Sequence, residues 1–229
     1  TVIYHSDPNT PFVVVNTLYK VGSKNESHHK TGFAHLFEHL MFEGTKNIPN
    51  FDGPLQEAGG ENNAFTNNDY TNYYDIVPES NVEIPFWLES DRMQYLNINS
   101  TSLKLQKKVV IEEFKENYIN QPYGDIQHLL RSMTYQNHPY QWPTIGKEIS
   151  HVKDATLKEV KDFYHQYYSP SNAILVIAGN IESDKAFELT EKWFSDIPEQ
   201  NINISEVIQE PLQTEERVKT HIASVPENM

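Results

Sequence analysis

The run Gly32-Phe33-Ala34-His35-Leu36-Phe37-Glu38-His39-Leu40-Met41-Phe42 limits what this chain can become more than any other stretch. Leu36, Phe37, Leu40 and Met41 recur at helical spacing, and no Gly or Pro interrupts the run after Gly32. The spacing predicts a helix. Side chains three and four residues apart share a helix face, so His35, Glu38 and His39 point the same way. Leaving three polar groups unpaired on an otherwise apolar helix is costly, so they call for a common partner. Two imidazoles one turn apart can each give a ring nitrogen to one zinc ion, at roughly 2.0–2.1 Å. The carboxylate between them is then placed to take a proton from a zinc-bound water.

Catalytic zinc usually keeps three protein ligands and one open position. The sequence contains no cysteine, so a distant carboxylate or histidine must complete the set. Residues 101–117 read as a long helix on which Leu103, Val110, Phe114 and Tyr118 form an apolar stripe. Glu113 falls on the flank of that stripe, Glu112 points nearly opposite, and Glu116 lies further round toward solvent. Periodicity therefore selects Glu113. His28 and His29 lie in a polar loop spanning residues 23–30 and read as exposed rather than ligating.

Composition narrows the partners. The chain has 229 residues, room for a substantial core, and a formal net charge of −14. Nothing resembles the basic stripe that nucleic acid requires. No apolar run is long enough to span a membrane. The chain opens at Thr1 rather than Met, so a processed or truncated N-terminus would hide any leader; the compartment is left open, with a soluble protein expected, periplasmic or exported if a leader was removed before Thr1.

Strand patterns cover residues 2–5, 12–19, 62–66, 71–77 and 173–178, the second and last being apolar enough for central strands. Helical patterns cover 55–58, 83–96, 126–133, 157–168 and 184–194. On 83–96 the apolar side is read as Ile84, Trp87, Leu88 and Tyr95. Residues 137–150 form a Pro- and aromatic-rich structured loop, and 201–214 an acidic linker, with a further strand opening at 217–223.

The order His-x-x-Glu-His is the inverted form of the zincin motif. Around it the chain resembles the inverted-motif zinc peptidases that include pitrilysin, insulysin and the mitochondrial processing peptidase. The resemblance continues through Phe42-Glu43-Gly44-Thr45, Gly59-Gly60-Glu61-Asn62-Asn63-Ala64-Phe65-Thr66 and Thr71-Asn72-Tyr73-Tyr74. It extends to Val109-Val110-Ile111-Glu112-Glu113, His138-Pro139-Tyr140, Thr144-Ile145-Gly146 and Tyr167-Tyr168-Ser169-Pro170-Ser171-Asn172, in the family's order.

The resemblance implies a zinc endopeptidase with an α+β fold, helices packed on one face of a mainly antiparallel sheet. It matches His35, His39 and Glu113 to the zinc ligands and Glu38 to the base. It matches Asn63, Ala64 and Phe65 to an edge strand that takes extended peptide as an added β-strand, a mode that asks little of substrate sequence. One departure is visible: many members carry a glutamate seven residues before the ligand, where this chain has Gln106, which hydrogen-bonds but carries no charge. The family pattern also implies that residues 1–200 are the zinc-bearing half, with 201–229 opening a connection to a second homologous half in the same or a partner chain. The alternative is a zinc- and peptide-binding half that is inactive without that partner. S-ribosylhomocysteinase shares His-x-x-Glu-His but needs a cysteine ligand, which this chain lacks.

Overall fold

The computed structural model describes residues 1–200 and 208–222. Its described strands are β1 (Val2–Ser6), β2 (Phe12–Tyr19), β3 (Glu61–Thr66), β4 (Thr71–Pro78) and β5 (Ala173–Gly179). They form one sheet in the order β1-β5-β2-β4-β3. Only the β1–β5 pairing is parallel; β2–β5, β2–β4 and β3–β4 are antiparallel. The turn over residues 6–9 joins β1 to β2 without pairing them, because β5 lies between. Val13 and Val15 on β2, Tyr73 and Val77 on β4, and Ile177 on β5 are all fully buried. Alternation along a strand puts side chains on opposite faces, and the registers Val13↔Val77, Thr17↔Tyr73 and Val15↔Ile177 set these residues on one face. The helices cover that face.

The helices are α1 (Phe33–Leu40), α2 (Asp52–Glu57), α3 (Glu83–Tyr95), α4 (Ser100–Phe114), α5 (Ile126–Thr134), α6 (Ile149–Lys153), α7 (Leu157–Tyr167) and α8 (Ser183–Phe194). The main core forms where α1 meets Tyr73 of β4 and the aromatic rings of α7. Phe37 stacks on Phe163 at 5.3 Å and on Tyr168 at 5.0 Å, and Tyr73 donates its hydroxyl to the Phe37 carbonyl at 3.3 Å. Asn99 caps α4 by accepting from the N–H groups of Thr101 and Ser102. The last turn of that helix widens into a π-helix over Lys115–Ile119, so Tyr118 leaves the regular stripe and packs beside Phe114 and His128.

Three expectations need correction. On α3, Ile84, Trp87 and Leu88 do face apolar neighbours, but Tyr95 is 38% exposed, while Phe86, Glu89, Arg92 and Met93 are buried. Burial of charged residues on several sides hides the helix's true inner face from a hydrophobic count. The loop 23–30 is not wholly solvated, because Glu26 is buried within it. No strand forms over the described residues 217–222; Val218 and Ile222 are 81% and 91% exposed, with no strand alongside to pair with. The rest of that expected strand, and residues 201–207 of the expected linker, lie outside the described residues. What is described of the linker lies against the end of α5. The Glu210 carboxylate accepts from the backbone N–H groups of Gln136, Asn137 and His138, and Arg217 donates to the carbonyls of Met133 and Thr134.

Candidate metal centre

Helix α1 buries Phe33, Leu36, Phe37 and Leu40 and turns His35 and His39 toward α4. The two imidazole Nε2 atoms stand 3.3 Å apart. A carboxylate oxygen of Glu113, on α4, lies 3.5 Å from Nε2 of His35 and 3.4 Å from Nε2 of His39. Two ligand atoms about 2.05 Å from one ion at the tetrahedral angle lie about 3.3–3.4 Å from each other. The triangle of donor atoms therefore has the dimensions of a zinc site. Its chemistry agrees, since two imidazoles and one carboxylate are common catalytic zinc ligands. Burial, and then the adjacent His39, depress the His35 imidazole to about 4, which keeps it neutral with a lone pair free to coordinate. Nδ1 of His35 is buried without a hydrogen-bond partner. His28 and His29, by contrast, are exposed.

Glu38 completes the group. Burial pushes its carboxyl above the ordinary glutamate value, an effect opposed by Thr66 at the end of β3 and by His39, and reinforced by the Glu113 charge. Glu38 thus lies among His39, Glu113 and the end of β3, and a raised carboxyl is suited to taking a proton near neutral pH. Strand β3 is an edge of the sheet, with Asn63, Ala64 and Phe65 opposite Tyr74, Tyr73 and Asn72 of β4. Asn63 and Phe65 are exposed, and the strand's outer side carries no partner among the described residues.

The model of the insulinase family of peptidases, M16, matches residues 1–148, and that of the M16 inactive domain matches residues 154–228. A zinc protease from Helicobacter pylori, PqqE, is 36% identical over 190 residues, covering 82% of this chain and 43% of the relative. The chain belongs to peptidase family M16. The crystal structure of a protease from Helicobacter pylori superposes with a TM-score of 0.84 at 36% identity, covering 90% of this chain and 51% of that one. The first half of the periplasmic protease PqqL from Escherichia coli shares the fold, with a TM-score of 0.82 at 22% identity, covering 93% of this chain and 47% of that one. The named relatives include zinc proteases, and zinc is the metal of this family. The chain spans less than half the length of the first relatives it matches. The two M16 family models divide the sequence near residue 150, yet β5, from the second stretch, is inserted between β1 and β2 of the first. Among the described residues no helix is long and apolar enough to cross a membrane.

Two supports of this M16 site escaped sequence reasoning. Glu26 is the cap of the motif helix. Its carboxyl oxygens accept from the backbone N–H groups of Gly32 and Ala34, both at 2.9 Å, and from Nε1 of Trp142 at 3.1 Å. Gly32, in the left-handed region at φ +88°, has no side chain to cap with, and a Cβ there would meet the Ile145 carbonyl oxygen at 2.8 Å. Nothing local in the sequence links Glu26 to a helix that starts seven residues later. The second support is Arg92, buried on α3 and paired with Glu89. Its guanidinium lies 4.4 Å from the ring centre of Tyr73 and 4.5 Å from that of Phe51. Burial and the neighbouring Glu89 hold the nearby Asp75 carboxyl well above the usual carboxylate range. Arg92 thus supports the tyrosine that holds the backbone of α1.

Proposed function

We propose that this chain is the metal-bearing half of an M16 zinc endopeptidase that cleaves extended peptides. The observation that carries the reading is the triangle His35, His39 and Glu113, with donor atoms 3.3–3.5 Å apart. In this reading those residues hold zinc. When bound, the metal supplies Lewis-acid stabilisation of a carbonyl oxygen and acidifies a water. Glu38 accepts a proton from the attacking water and returns it to the leaving amine, which its raised carboxyl suits. Asn63, Ala64 and Phe65 pair their backbone with the substrate, which extends the sheet by one strand beside α1. The reading assigns residues 1–200 to the zinc-bearing unit and 201–229 to the connection toward a second homologous half. Relatives of which the matched stretch covers less than half support that division. They also support a second reading of the isolated chain, as a half that binds zinc and peptide but turns over slowly or not at all. An exported setting is part of the proposal, because relatives of this fold include a periplasmic protease.

The test is a fluorogenic-peptide assay of Glu38→Gln in the completed two-half protein. Glutamine keeps the size but cannot accept the proton, so we expect zinc retained and turnover lost, with the loss in kcat rather than KM. Undiminished cleavage by that variant would remove Glu38 from the mechanism.

A further inference from the structure

Zinc binding of the kind just proposed requires two helices to meet in register, since α1 brings His35 and His39 and α4 brings Glu113. Two things already bring them together: Leu103, Val110 and Phe114 of α4 share the core with Leu36, Phe37 and Leu40 of α1, and a Glu113 oxygen lies 3.5 and 3.4 Å from Nε2 of His35 and His39. One other polar contact joins them. Gln106, on α4, donates its side-chain amide to the carboxylate of Glu43. Glu43 lies in the turn that continues α1, four residues after His39, and its N–H still bonds to the Leu40 carbonyl at 3.1 Å. Gln106 lies seven residues before Glu113. That is two helical turns, about 10 Å along the axis, and on the same face. The contact therefore sits on the edge of α4 that carries the ligand. Among the described residues it is the one side-chain hydrogen bond between α4 and the motif helix with its following turn, the donor triangle aside.

The chemistry fixes its sense. A carboxylate accepts only, so the amide must present Nε2 to Glu43, and reversing the amide would set two acceptors face to face. The other end of the amide, Oε1, is buried with no partner. Leaving a buried acceptor unsatisfied is costly, and the amide–carboxylate bond is the contribution that offsets it. Glutamic acid would be a close match in size at position 106, but it would place a second carboxylate against Glu43 and replace attraction by repulsion.

We propose that Gln106 and Glu43 are positioning residues for the metal site. Their hydrogen bond fixes α4 against the turn after α1 and so presents Glu113 to His35 and His39 before zinc binds. The proposal rests on the ligand assignment above and adds a claim about why the site is preformed. It predicts a sign that simple electrostatics does not. An extra negative charge near a cation site should tighten zinc binding, whereas breaking the tie should weaken it.

The test measures the zinc dissociation constant of the 229-residue chain by competition with a chromophoric chelator. Gln106→Glu should weaken zinc binding by about tenfold, the lower end of the usual cost of disturbing groups that hold metal ligands. The swap Glu43→Gln with Gln106→Glu rebuilds the same bond with its polarity reversed, and should restore affinity to within about threefold. Gln106→Met removes the tie without adding charge and should weaken binding severalfold; it decides the matter should Gln106→Glu not fold. Binding by Gln106→Glu as tight as wild type or tighter overturns the proposal, as does a swap that restores nothing. A wild-type chain that binds no zinc would instead overturn the ligand assignment itself.

Discussion

Replacing Glu26 by glutamine tests how the motif helix is capped. Burial pushes the Glu26 carboxyl up from its ordinary 4.5 to about 8, against the pull of the Ala34, Gly32 and Trp142 donors. A value raised by folding means that the folded chain keeps a proton the unfolded chain has already released. Stability from this group is therefore fully present below about pH 4.5 and is lost as pH rises through about 8. With those values the loss is about 2–3 kcal/mol from pH 5 to 7 and about 1 kcal/mol more by pH 9. Glutamine fills the same space and has no such titration, though its amide turns an N–H₂ toward one of the existing donors at a cost of about 1 kcal/mol. The two forms should therefore be nearly equal in stability at pH 5, and the glutamine variant the more stable by about 2 kcal/mol at pH 7 and by more at pH 9. Urea unfolding of both proteins in chelator at pH 5, 7 and 9 reads the difference directly, because all other titrations cancel. A wild-type advantage that stays flat or grows with pH would instead mean that the helix N–H groups hold Glu26 ionised.

Two further outcomes follow from the same structure. Arg92→Leu leaves Glu89 buried without its partner beside Asp75, and should lower the unfolding free energy by about 3–5 kcal/mol, measured by urea denaturation. The family resemblance implies that the second half brings donors for the developing oxyanion, so supplying it, in trans or as a longer chain, should raise peptidase activity at least about 10²–10³-fold, the usual cost of losing one such donor. Equal rates at equal zinc occupancy would show the 229-residue chain to be a whole enzyme.

Much of this was legible in the sequence, for a physical reason. The His35, Glu38 and His39 face and the placement of Glu113 are consequences of helical periodicity, which the apolar residues around them report faithfully. The central strands β2 and β5 were equally plain, because alternate residues are buried against the helices. The parallel β1–β5 pairing was not legible, since a short turn between β1 and β2 reads like a hairpin and only the distant β5 separates them. The inner face of α3 was misread at Tyr95 because Glu89 and Arg92 satisfy each other inside the core. Glu26 looked like one more acid in a polar loop; its role depends on backbone N–H groups that exist only once α1 has formed.

Diffraction at the zinc absorption edge, from crystals grown with zinc, decides whether His35, His39 and Glu113 hold one zinc ion. One anomalous peak per chain is expected, about 2.0–2.2 Å from Nε2 of His35, Nε2 of His39 and a carboxylate oxygen of Glu113. A peak on His28 and His29, or none between α1 and α4, would contradict this assignment.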